Sequence, residues 1–397
     1  MKKRAEELVS CYADLHIHIG RTGRGEPVKI SGSRDLTFSN IAKEAHDRKG
    51  IGLLGIIDCH SPGVQQDISE CLEREEMHEL EDGGITYKGT TLLLGTELEI
   101  REPEMGPAHL LAFFPFFDTI RSFTGWLEKK MKNVSLSSQR VYAPAKVLQE
   151  EVYARGGIII PAHIFTPHRS IYGSCAPRMA DVLDTTLISA VELGLSADSE
   201  MAGLISELDS YTFLTNSDAH SLGKIGREYN ELLLKEPTYQ EFVKVLKRED
   251  GRRVIGNYGL NPRLGKYHRT YCSGCSYIID EAEISVERCP YCGSPKLVRG
   301  VFDRIRSIAD RKEPVIPAHR PPYHYQVPLE FIPGLGPAKL ELLLRTFGTE
   351  MNVLNQVSCE ALVEVVGTEL AERICDARTG KLELAAGGGG VYGKVKK

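Results

Sequence analysis

Histidine, aspartate and glutamate residues recur where short apolar segments of this chain end. Imidazole nitrogens and carboxylate oxygens are the groups with which proteins bind zinc, manganese and magnesium. Side chains that follow successive strands of a barrel meet at one face, where they can share ions. The sequence therefore predicts a centre of two or three divalent ions (Zn, Mn or Mg), with these candidate ligands: His16, His18, Asp58, His60, Glu97, His109, His163, Asp218 and His220.

Two pairs of these residues have a spacing that suits joint coordination. One residue separates His16 from His18, and one residue separates Asp218 from His220. Alternate residues of an extended strand share a face, so each pair can present both side chains to the same ion. Ions held close together can lower the pKa of a bound water to about 7 and hold a phosphate for in-line attack. The spacing thus favours metal-dependent phosphoester chemistry, with carboxylates available to bridge the ions.

Alternating strands and helices must position these side chains. Apolar runs predict buried strands at residues 53–57, 92–95, 158–161 and 211–216. Helical segments are predicted at residues 41–49, 145–155 and 237–247. This alternation is typical of an α/β protein with either a parallel barrel or a doubly wound sheet.

Two Cys-x-x-Cys pairs predict a second metal site. Cys272 and Cys275 are followed, after thirteen residues, by Cys289 and Cys292. Such pairs build a small module of zinc-ribbon type, in which four thiolates surround one zinc ion as a tetrahedron. This four-cysteine module either contacts DNA or only stabilises a segment too short to form its own core. The other six cysteines are scattered, which favours a reducing compartment and one structural zinc ion.

A glycine-containing turn opens the helical C-terminal part of the chain. In Ile-Pro-Gly-Leu-Gly-Pro-Ala-Lys, Gly334 and Gly336 let the backbone approach a phosphate, and Lys339 lies at the start of the helix that follows. Amide groups at a helix N-terminus can bind such a phosphate. The segment resembles a helix-hairpin-helix, and residues 366–373 resemble a shortened second copy; the resemblance implies that this part binds DNA. An ordinary helical turn is the alternative.

Composition divides the chain into four predicted parts. These are a barrel (1–256), the four-cysteine module with its linker (257–312), a proline-rich linker with the helical domain (313–385) and a disordered Gly/Lys tail (386–397). The first 250 residues hold 28 basic and 38 acidic residues, whereas the remainder holds 21 and 16. An acidic metal-binding half and a basic anion-binding half would explain this asymmetry, although uneven surface charge is common. Since no apolar stretch is long enough to cross a bilayer, we expect a cytoplasmic protein without a membrane partner.

The ordered motifs of the first part resemble a known superfamily. Asp-Leu-His-x-His, Gly-x-Glu, Pro-Ala-His and Ser-Asp-Ala-His resemble the polymerase-and-histidinol-phosphatase (PHP) domain. The resemblance implies a distorted (β/α)7 barrel and phosphoester hydrolysis with up to three metal ions. This chain departs from the pattern at two places. Residues 20–25 lack the usual Asp or His, and Cys59 separates Asp58 from His60, which leaves the number of ions and the choice between Asp58 and His60 open.

The order of barrel, four-cysteine module and helix-hairpin-helix resembles the endonuclease Q family, as do residues 192–198 and 217–228. The resemblance implies a DNA repair endonuclease that cuts 5′ of uracil, hypoxanthine, xanthine and abasic sites, with damaged DNA as its partner and its activity near the nucleoid. It implies catalytic roles for Glu97, His163 and Asp218.

Two basic residues follow the last pair of candidate ligands. Lys224 and Arg227 are candidates to hold the flanking phosphate in the catalytic site, or else they are solvated residues at a helix start. A sliding clamp is a possible further partner of this kind of enzyme, although the tail carries no clear clamp-binding motif.

Three other functions are compatible with the sequence. The first is a phosphoesterase that acts on a small phosphorylated molecule; the C-terminal DNA-binding modules argue against it, because such an enzyme would not need them. A nuclease or phosphatase acting on DNA ends is hardly distinguished from the lesion-directed enzyme. A DNA-binding scaffold without activity would require a broken ligand set, and the set is mostly intact.

Overall fold

The computed structural model describes residues 7–279, 286–385 and 387–395, and it confirms the α/β fold. The strands are β1 (Val9–Ile17), β2 (Leu53–Ile57), β3 (His78–Glu79), β4 (Ile85–Tyr87), β5 (Thr90–Ile100), β6 (Ala108–Phe114), β7 (Ile158–Pro161), β8 (Ala190–Glu192), β9 (Thr212–Leu214), β10 (Tyr229–Leu234), β11 (Arg253–Gly259), β12 (Tyr271–Cys272), β13 (Leu297–Val298), β14 (Tyr323–Tyr325), β15 (Leu384–Ala385) and β16 (Lys394–Val395). The α-helices are α1 (Phe38–Glu44), α2 (Pro62–Glu73), α3 (Phe117–Leu127), α4 (Ala145–Tyr153), α5 (Ser199–Ala202), α6 (Tyr239–Lys247), α7 (Val301–Ile308), α8 (Pro337–Phe347), α9 (Glu350–Asn355), α10 (Cys359–Val366) and α11 (Thr368–Arg378).

Strands β1, β2, β5, β6, β7, β8 and β9 form a distorted ring. β1, β2 and β5 pair in parallel, β6 runs antiparallel between β5 and β7, and β8 pairs in parallel with β9. Backbone hydrogen bonds close the ring, from Ile164 N to Glu192 O (2.9 Å) and from Ala219 N to His16 O (3.1 Å). The ring is therefore mixed, and the prediction of an all-parallel set of strands is wrong at β6.

Small residues allow the strands of the ring to approach closely. Gly55 in β2 faces β1, and a Cβ atom there would lie only 2.4 Å from the carbonyl oxygen of Leu15. Both faces of β2 and β6 are buried, as expected for strands covered by helices on one side and a filled barrel on the other.

Helix α1 continues through one wider turn that ends at Lys49, and the side chain of Lys49 is buried.

The segments predicted as linkers belong partly to the barrel. β11 extends to Gly259, so the predicted boundary at residue 256 falls inside a strand. Within the proline-rich segment, β14 adds to the sheet in parallel with β11, and Asn257 N donates to Pro322 O (3.0 Å). Proline cannot donate to a ladder, but the Tyr-His-Tyr sequence after Pro322 can. The linker is therefore anchored on the sheet.

The tail also differs from its prediction. β15 and β16 pair as an antiparallel hairpin, and Gly387 N donates to Arg263 O (2.7 Å). The glycines lack side chains and pack directly on the backbone of residues 263–266, which explains why a composition typical of disorder is ordered here. Residues 386, 396 and 397 of the predicted tail lie outside the described residues.

Helices α8 to α11 form the C-terminal helical domain. A disulfide joins Cys359 in α10 to Cys375 in α11, contrary to the prediction of scattered, reduced thiols. The antiparallel packing of two successive helices brings these cysteines together, and their sequence separation of 16 residues gives no signal of it. Among the described residues, no helix combines the length and hydrophobicity needed to cross a membrane.

Candidate active site

Glu97 lies at the centre of a cluster of buried imidazoles. Its Oε1 atom is 2.7 Å from His109 Nδ1, 3.2 Å from His163 Nε2 and 3.6 Å from His16 Nε2. Its Oε2 atom is 3.6 Å from His18 Nε2. Both carboxylate oxygens thus face ring nitrogens, which is the arrangement that a bridging carboxylate needs.

The paired motifs meet beside this carboxylate. His16 Nε2 and His18 Nε2 are 3.3 Å apart, and Asp218 Oδ1 lies 3.5 Å from the former and 3.4 Å from the latter. His220 Nδ1 is 3.6 Å from the same oxygen. The donor atoms form three overlapping groups, each within 4.8 Å: His16, His18 and Glu97; His18, Asp218 and His220; Glu97, His109 and His163.

Two of these residues have an uncommon backbone conformation. His163 has a φ angle of 27° and Asp218 one of 45°. Non-glycine residues rarely adopt positive φ, and such strain concentrates at functional sites. Both residues follow the end of a strand, where a sharp turn directs the side chain back over the ring.

Buried carboxylates orient the first two histidines. Glu192 lies 3.0 Å from His16 Nδ1 and also accepts hydrogen bonds from His163 N (2.8 Å) and Asn216 Nδ2 (2.7 Å). Asp58 Oδ2 lies 3.1 Å from His18 Nδ1 and accepts from Ile19 N (2.9 Å). Each carboxylate engages Nδ1, so Nε2 of each histidine is free to face the cluster. Metal-binding histidines commonly have such a partner.

Asp58 and His60, which the sequence offers as candidate ligands, lie outside the three donor groups. Asp58 supports His18 and stands behind the donor cluster. His60 points away from it: Nδ1 is 2.8 Å from Thr96 Oγ1, and Nε2 is 3.4 Å from Leu136 O. Both ring nitrogens of His60 are occupied in a fully buried site. The turn after β2 carries the two side chains in different directions, and the motif spacing could not resolve this.

Lys29 and Ser138 join the cluster without a sequence signal. Lys29 Nζ is 3.3 Å from His18 Nε2, 3.4 Å from Glu97 Oε2 and 2.6 Å from Ser138 Oγ. Ser138, at a φ angle of 55°, donates to Glu97 Oε2. Both residues lie on loops outside the strand-end pattern, so periodicity could not identify them. A positive side chain next to the donor cluster suits an anionic ligand.

The electrostatics of the cluster favour cations. Burial alone would raise the pKa of Glu97, but the nearby His109 and Lys29 hold it well below its usual value. Burial lowers the pKa of His16, yet Glu192 and Asp218 outweigh it and raise that pKa to about 10. Burial lowers the pKa of His220 to about 4, so this imidazole is neutral and has a free lone pair at neutral pH. The carboxylates thus attract positive charge, which a metal ion can supply in place of protons.

The donor set fits divalent ions. His109 Nε2 and His163 Nδ1 are buried and have no hydrogen-bond partner among the described residues. Orphaned polar atoms of this kind are costly unless an ion or water satisfies them. Mixed imidazole and carboxylate donors suit zinc or manganese, and bridging carboxylates suit a multinuclear centre.

The cluster forms the floor of a cleft of about 270 Å³. Lys224 and Arg227 lie outside this cleft. Lys224 Nζ pairs with Glu330 Oε1 (2.7 Å), and Arg227 Nε donates to Ser217 O (2.8 Å). Arg227 is therefore attached to the backbone next to Asp218, whereas Lys224 faces the helical domain. Outside the donor cluster, the lining of the cleft includes His168, Arg169, Lys266, Tyr267 and Tyr392.

The four cysteines of the second motif meet in one cluster. Cys272 Sγ is 3.7 Å from Cys292 Sγ, Cys275 Sγ is 3.6 Å from Cys289 Sγ, and all four sulfurs lie within 4.8 Å of one another. This is the arrangement that a tetrahedral zinc site needs.

Helix α7 attaches the four-cysteine module to the barrel. Thr270 N donates to Asp303 Oδ2 in α7 (2.9 Å), and Arg304 Nε in the same helix donates to Tyr172 O of the barrel (2.7 Å). Helix α7 therefore connects the module with the barrel.

The two glycine turns of the helical domain lie side by side. Gly334, Lys339, Gly367 and Arg373 line one cleft of about 330 Å³. Arg373 Nη1 donates to Pro333 O (2.9 Å), which connects the two turns. A Cβ atom at Gly336 or Gly367 would meet no atom within 4 Å, so the backbone of both turns is open to a ligand.

Comparisons with known proteins place this arrangement among related chains. A family model described as PHP-associated matches residues 200–250. The uncharacterized protein YqxK of Bacillus subtilis is 51% identical over 97% of this chain and 99% of its own. The lesion-specific endonuclease PfuEndoQ of Pyrococcus furiosus is 33% identical, with a TM-score of 0.83 over 98% of this chain and 95% of its own. An endonuclease Q in complex with a 27-mer duplex that has an abasic lesion at the active site is 32% identical, with a TM-score of 0.83 over 98% of this chain and 96% of its own.

Proposed function

This chain belongs to the endonuclease Q family, and we propose that it is a metal-dependent DNA repair endonuclease. Its substrates are duplexes with deaminated bases (uracil, hypoxanthine, xanthine) or abasic sites, and it cuts the phosphodiester on the 5′ side of the lesion. The observation that carries the proposal is the cluster of overlapping donor groups around Glu97 and Asp218, at the floor of an open cleft. The cluster occurs in a chain that superposes on endonuclease Q over nearly its whole length.

The donor cluster assigns roles to its residues. When bound, divalent ions activate the attacking water and offset the negative charge that develops on the phosphoryl oxygens. Glu192 and Asp58 keep His16 and His18 in the tautomer that exposes Nε2 to the cluster. Two or three ions would be held by His16, His18, Glu97, His109, His163, Asp218 and His220.

A lysine completes the environment of the scissile phosphate. Lys29 Nζ reaches the cluster through Ser138 and Glu97. It can therefore stabilise a non-bridging phosphate oxygen that lies over the floor of the cleft.

The two basic residues after Asp218 have different roles. Arg227, held by the carbonyl of Ser217, is positioned to contact the phosphate that flanks the scissile one. Lys224 already forms an ion pair with Glu330, which favours a role in holding the helical domain.

The remaining modules hold the duplex. The backbone amides of the turns at Gly334 and Gly367, with Lys339 beside them, suit phosphates and carry no information about sequence. The four-cysteine module holds one structural zinc ion and presents stacked Tyr277 and Tyr291, with ring centroids 5.7 Å apart, on an exposed surface. The lesion is recognised because a mispaired or missing base costs less to turn out of the stack than a paired base.

Cleavage of end-labelled duplexes tests the proposed substrate. Duplexes with one uracil, hypoxanthine or abasic site, and an undamaged control, are incubated with the protein and Mg²⁺, Mn²⁺ or Zn²⁺. We expect one cut immediately 5′ of each lesion and none in the control. Trimming from the ends would indicate an end-directed nuclease. If no metal supports incision but the protein hydrolyses a generic phosphomonoester, the repair function is refuted and the barrel is a phosphoesterase of another kind.

A further inference from the structure

Three buried asparagines form a row of hydrogen bonds behind the donor cluster. Asn257 in β11 is the register partner of Asn230 in β10, and Asn216 follows the end of β9. Asn257 Nδ2 donates to Asn230 Oδ1, and Asn230 Nδ2 donates to Asn216 Oδ1, both at 3.0 Å. Asn216 Nδ2 then donates to Glu192 Oε1 (2.7 Å). This amide row is buried throughout and ends at the carboxylate that contacts His16.

Backbone groups fix the direction of the amide row. Thr215 N donates to Asn230 Oδ1 (2.9 Å), and Leu15 N donates to Asn216 Oδ1 (3.1 Å). An amide side chain accepts through its oxygen and donates only through its nitrogen, so an oxygen that faces a backbone N–H turns Nδ2 the other way. Thr215 O also accepts from Asn230 Nδ2 (2.8 Å). Asn230 and Asn216 therefore both donate toward Glu192, and neither can turn over without losing a backbone hydrogen bond.

Glu192 transmits this orientation to two of the metal-donor residues. Its two oxygens lie 3.0 and 3.1 Å from His16 Nδ1, and Oε2 also accepts from His163 N (2.8 Å). A carboxylate can rotate unless each oxygen has a partner on a fixed group. Asn216 is that partner for Oε1, and the backbone of His163 is that partner for Oε2. The plane of the carboxylate, and with it the His16 ring, therefore depends on the direction of the Asn216 amide.

We infer that Asn230 and Asn216 are positioning residues of the metal centre, because they hold Glu192 in the orientation that makes His16 present Nε2 to the ions. Asn230 belongs neither to the donor groups nor to the lining of the cleft, so its side chain acts on the centre through Asn216. The inference rests on the proposed function for what the ions do. The ion affinity that it predicts is measured without DNA.

Asn230→Asp reverses the amide row without changing its size. An ionised aspartate cannot donate, so Asn216 has to turn Nδ2 toward position 230 and its oxygen toward Glu192, which breaks the bond to that carboxylate. We expect the affinity for Mn²⁺ to fall about 10-fold, at the lower end of the loss typical for a partner of a metal-binding histidine. A negative charge by itself would tighten the binding of a cation, so a loss has the opposite sign from a purely electrostatic effect.

The measurement is an Mn²⁺ titration of protein from which a chelator has removed the barrel ions, followed by the electron paramagnetic resonance signal of free Mn²⁺. Mn²⁺ is a poor partner for thiolates, so the titration reports on the barrel and not on the four cysteines. Urea unfolding of each metal-free variant measures its stability separately. A change in affinity is thereby distinguished from a general loosening of the fold.

The matched control is Asn355→Asp. It adds the same charge at another part-buried asparagine, whose Nδ2 donates to Tyr229 Oη (2.9 Å) outside the amide row. Its Mn²⁺ affinity should stay within about threefold of wild type, as for a substitution away from the site. An equal loss of affinity in Asn355→Asp and Asn230→Asp would overturn the inference.

A second variant covers the case in which Asn230→Asp does not fold. Asn216→Leu has nearly the same size, adds no charge and leaves Glu192 Oε1 without its donor. We expect its Mn²⁺ affinity to fall about 10- to 100-fold. Unchanged or tighter binding of Mn²⁺ by either folded variant would overturn the inference.

Incision of a uracil duplex separates the inference from the function on which it rests. For Asn230→Asp we expect kcat to fall at limiting Mn²⁺ and to recover at saturating Mn²⁺, with the KM for DNA unchanged, because the substitution acts through ion affinity. A loss that saturating Mn²⁺ does not restore would overturn the positioning role. If the wild type cuts no lesion and Asn230→Asp still binds Mn²⁺ more weakly, the proposed function fails and the positioning role stands.

Discussion

At the scale of single residues, the carboxylates behind the histidines distinguish a metal centre from a set of buried imidazoles. Asp58 and Glu192 contact Nδ1 of His18 and His16, and both rings present Nε2 to the cluster. The sequence identified most of the donor residues because they follow strand ends. It could not separate a ligand from a supporting carboxylate, since that difference depends on where a side chain points after the strand.

Separate substitution of Asp58 and His60 tests this distinction. Asp58→Asn should lower the affinity for the active-site ions about 10- to 100-fold, because His18 loses its carboxylate partner. His60→Gln should leave that affinity near wild type, at a cost of about 1–3 kcal/mol in stability from a lost buried hydrogen bond. Metal titration and denaturant unfolding of both variants provide the measurements. A larger loss of ions in His60→Gln would assign His60 to the centre.

Glu228 gives the protein a pH-dependent stability. Burial raises the pKa of this carboxyl to about 8, although Leu260 N donates to it (2.8 Å). The pKa of Glu228 in the folded state lies above its value near 4.5 in the unfolded state, so the folded state binds the proton more tightly. The free energy of unfolding therefore falls as the pH rises from about 4.5 through about 8. The free energy of unfolding should therefore fall more between about pH 6 and pH 9 in the wild type than in Glu228→Gln, as measured by urea denaturation. A parallel fall in both proteins would rule out Glu228 as the cause.

At the scale of elements, strands were easier to predict than their directions. The apolar runs located β2 and β7, but the alternation of strands and helices gave no sign that β6 returns antiparallel to β5. Direction depends on the connection at residues 101–107, where the chain turns back without a helix. The hairpin of β15 and β16 was missed for a different reason, since its glycines are held by contacts with residues 263–266 that are distant in sequence.

The four-cysteine module is an element whose order should depend on its ion. A two-residue ladder between β12 and β13 is too small to be stable alone, so a metal ion bound by the four thiolates would supply the folding energy. Cys289→Ser should remove one zinc equivalent, make the module sensitive to protease and weaken the binding of lesion duplex, while the barrel keeps its ions. Elemental analysis and limited proteolysis check this expectation. Retention of the full zinc content would contradict a site built from all four cysteines.

At the scale of the whole molecule, a buried ion pair connects the barrel with the helical domain. Lys49 Nζ lies 2.9 Å from Glu350 Oε1 at the start of α9 and also donates to Gly223 O (2.9 Å). Both side chains are largely buried, and Lys49 and Glu350 are distant from each other in the sequence. Composition predicted separate parts, whereas this contact and the added strand β14 join them. The relation between domains was therefore not predictable from the sequence.

Removal of one partner should reveal how strongly the two parts are coupled. Lys49→Met leaves the Glu350 carboxylate buried without its cation, and we expect a loss of about 3–5 kcal/mol in unfolding free energy. The matched control is Lys88→Met, because Lys88 is exposed and 4.0 Å from Asp47, and its loss should cost less than about 1 kcal/mol. Guanidinium denaturation compares the two. Equal effects would show that the buried pair does not hold the helical domain on the barrel.

The central claim is that the cluster around Glu97 and Asp218 holds the ions that cut DNA at lesions. The most direct measurement uses Asp218→Asn, which removes the carboxylate charge shared by His16 and His18 while keeping the size of the side chain. Incision of a uracil duplex and binding of the same duplex by fluorescence anisotropy are measured together. We predict that Asp218→Asn loses incision by at least about 10³-fold, in line with the loss of a transition-state contact, and binds DNA nearly as tightly as the wild type. Full incision by this variant would remove Asp218 from the catalytic centre and contradict the account.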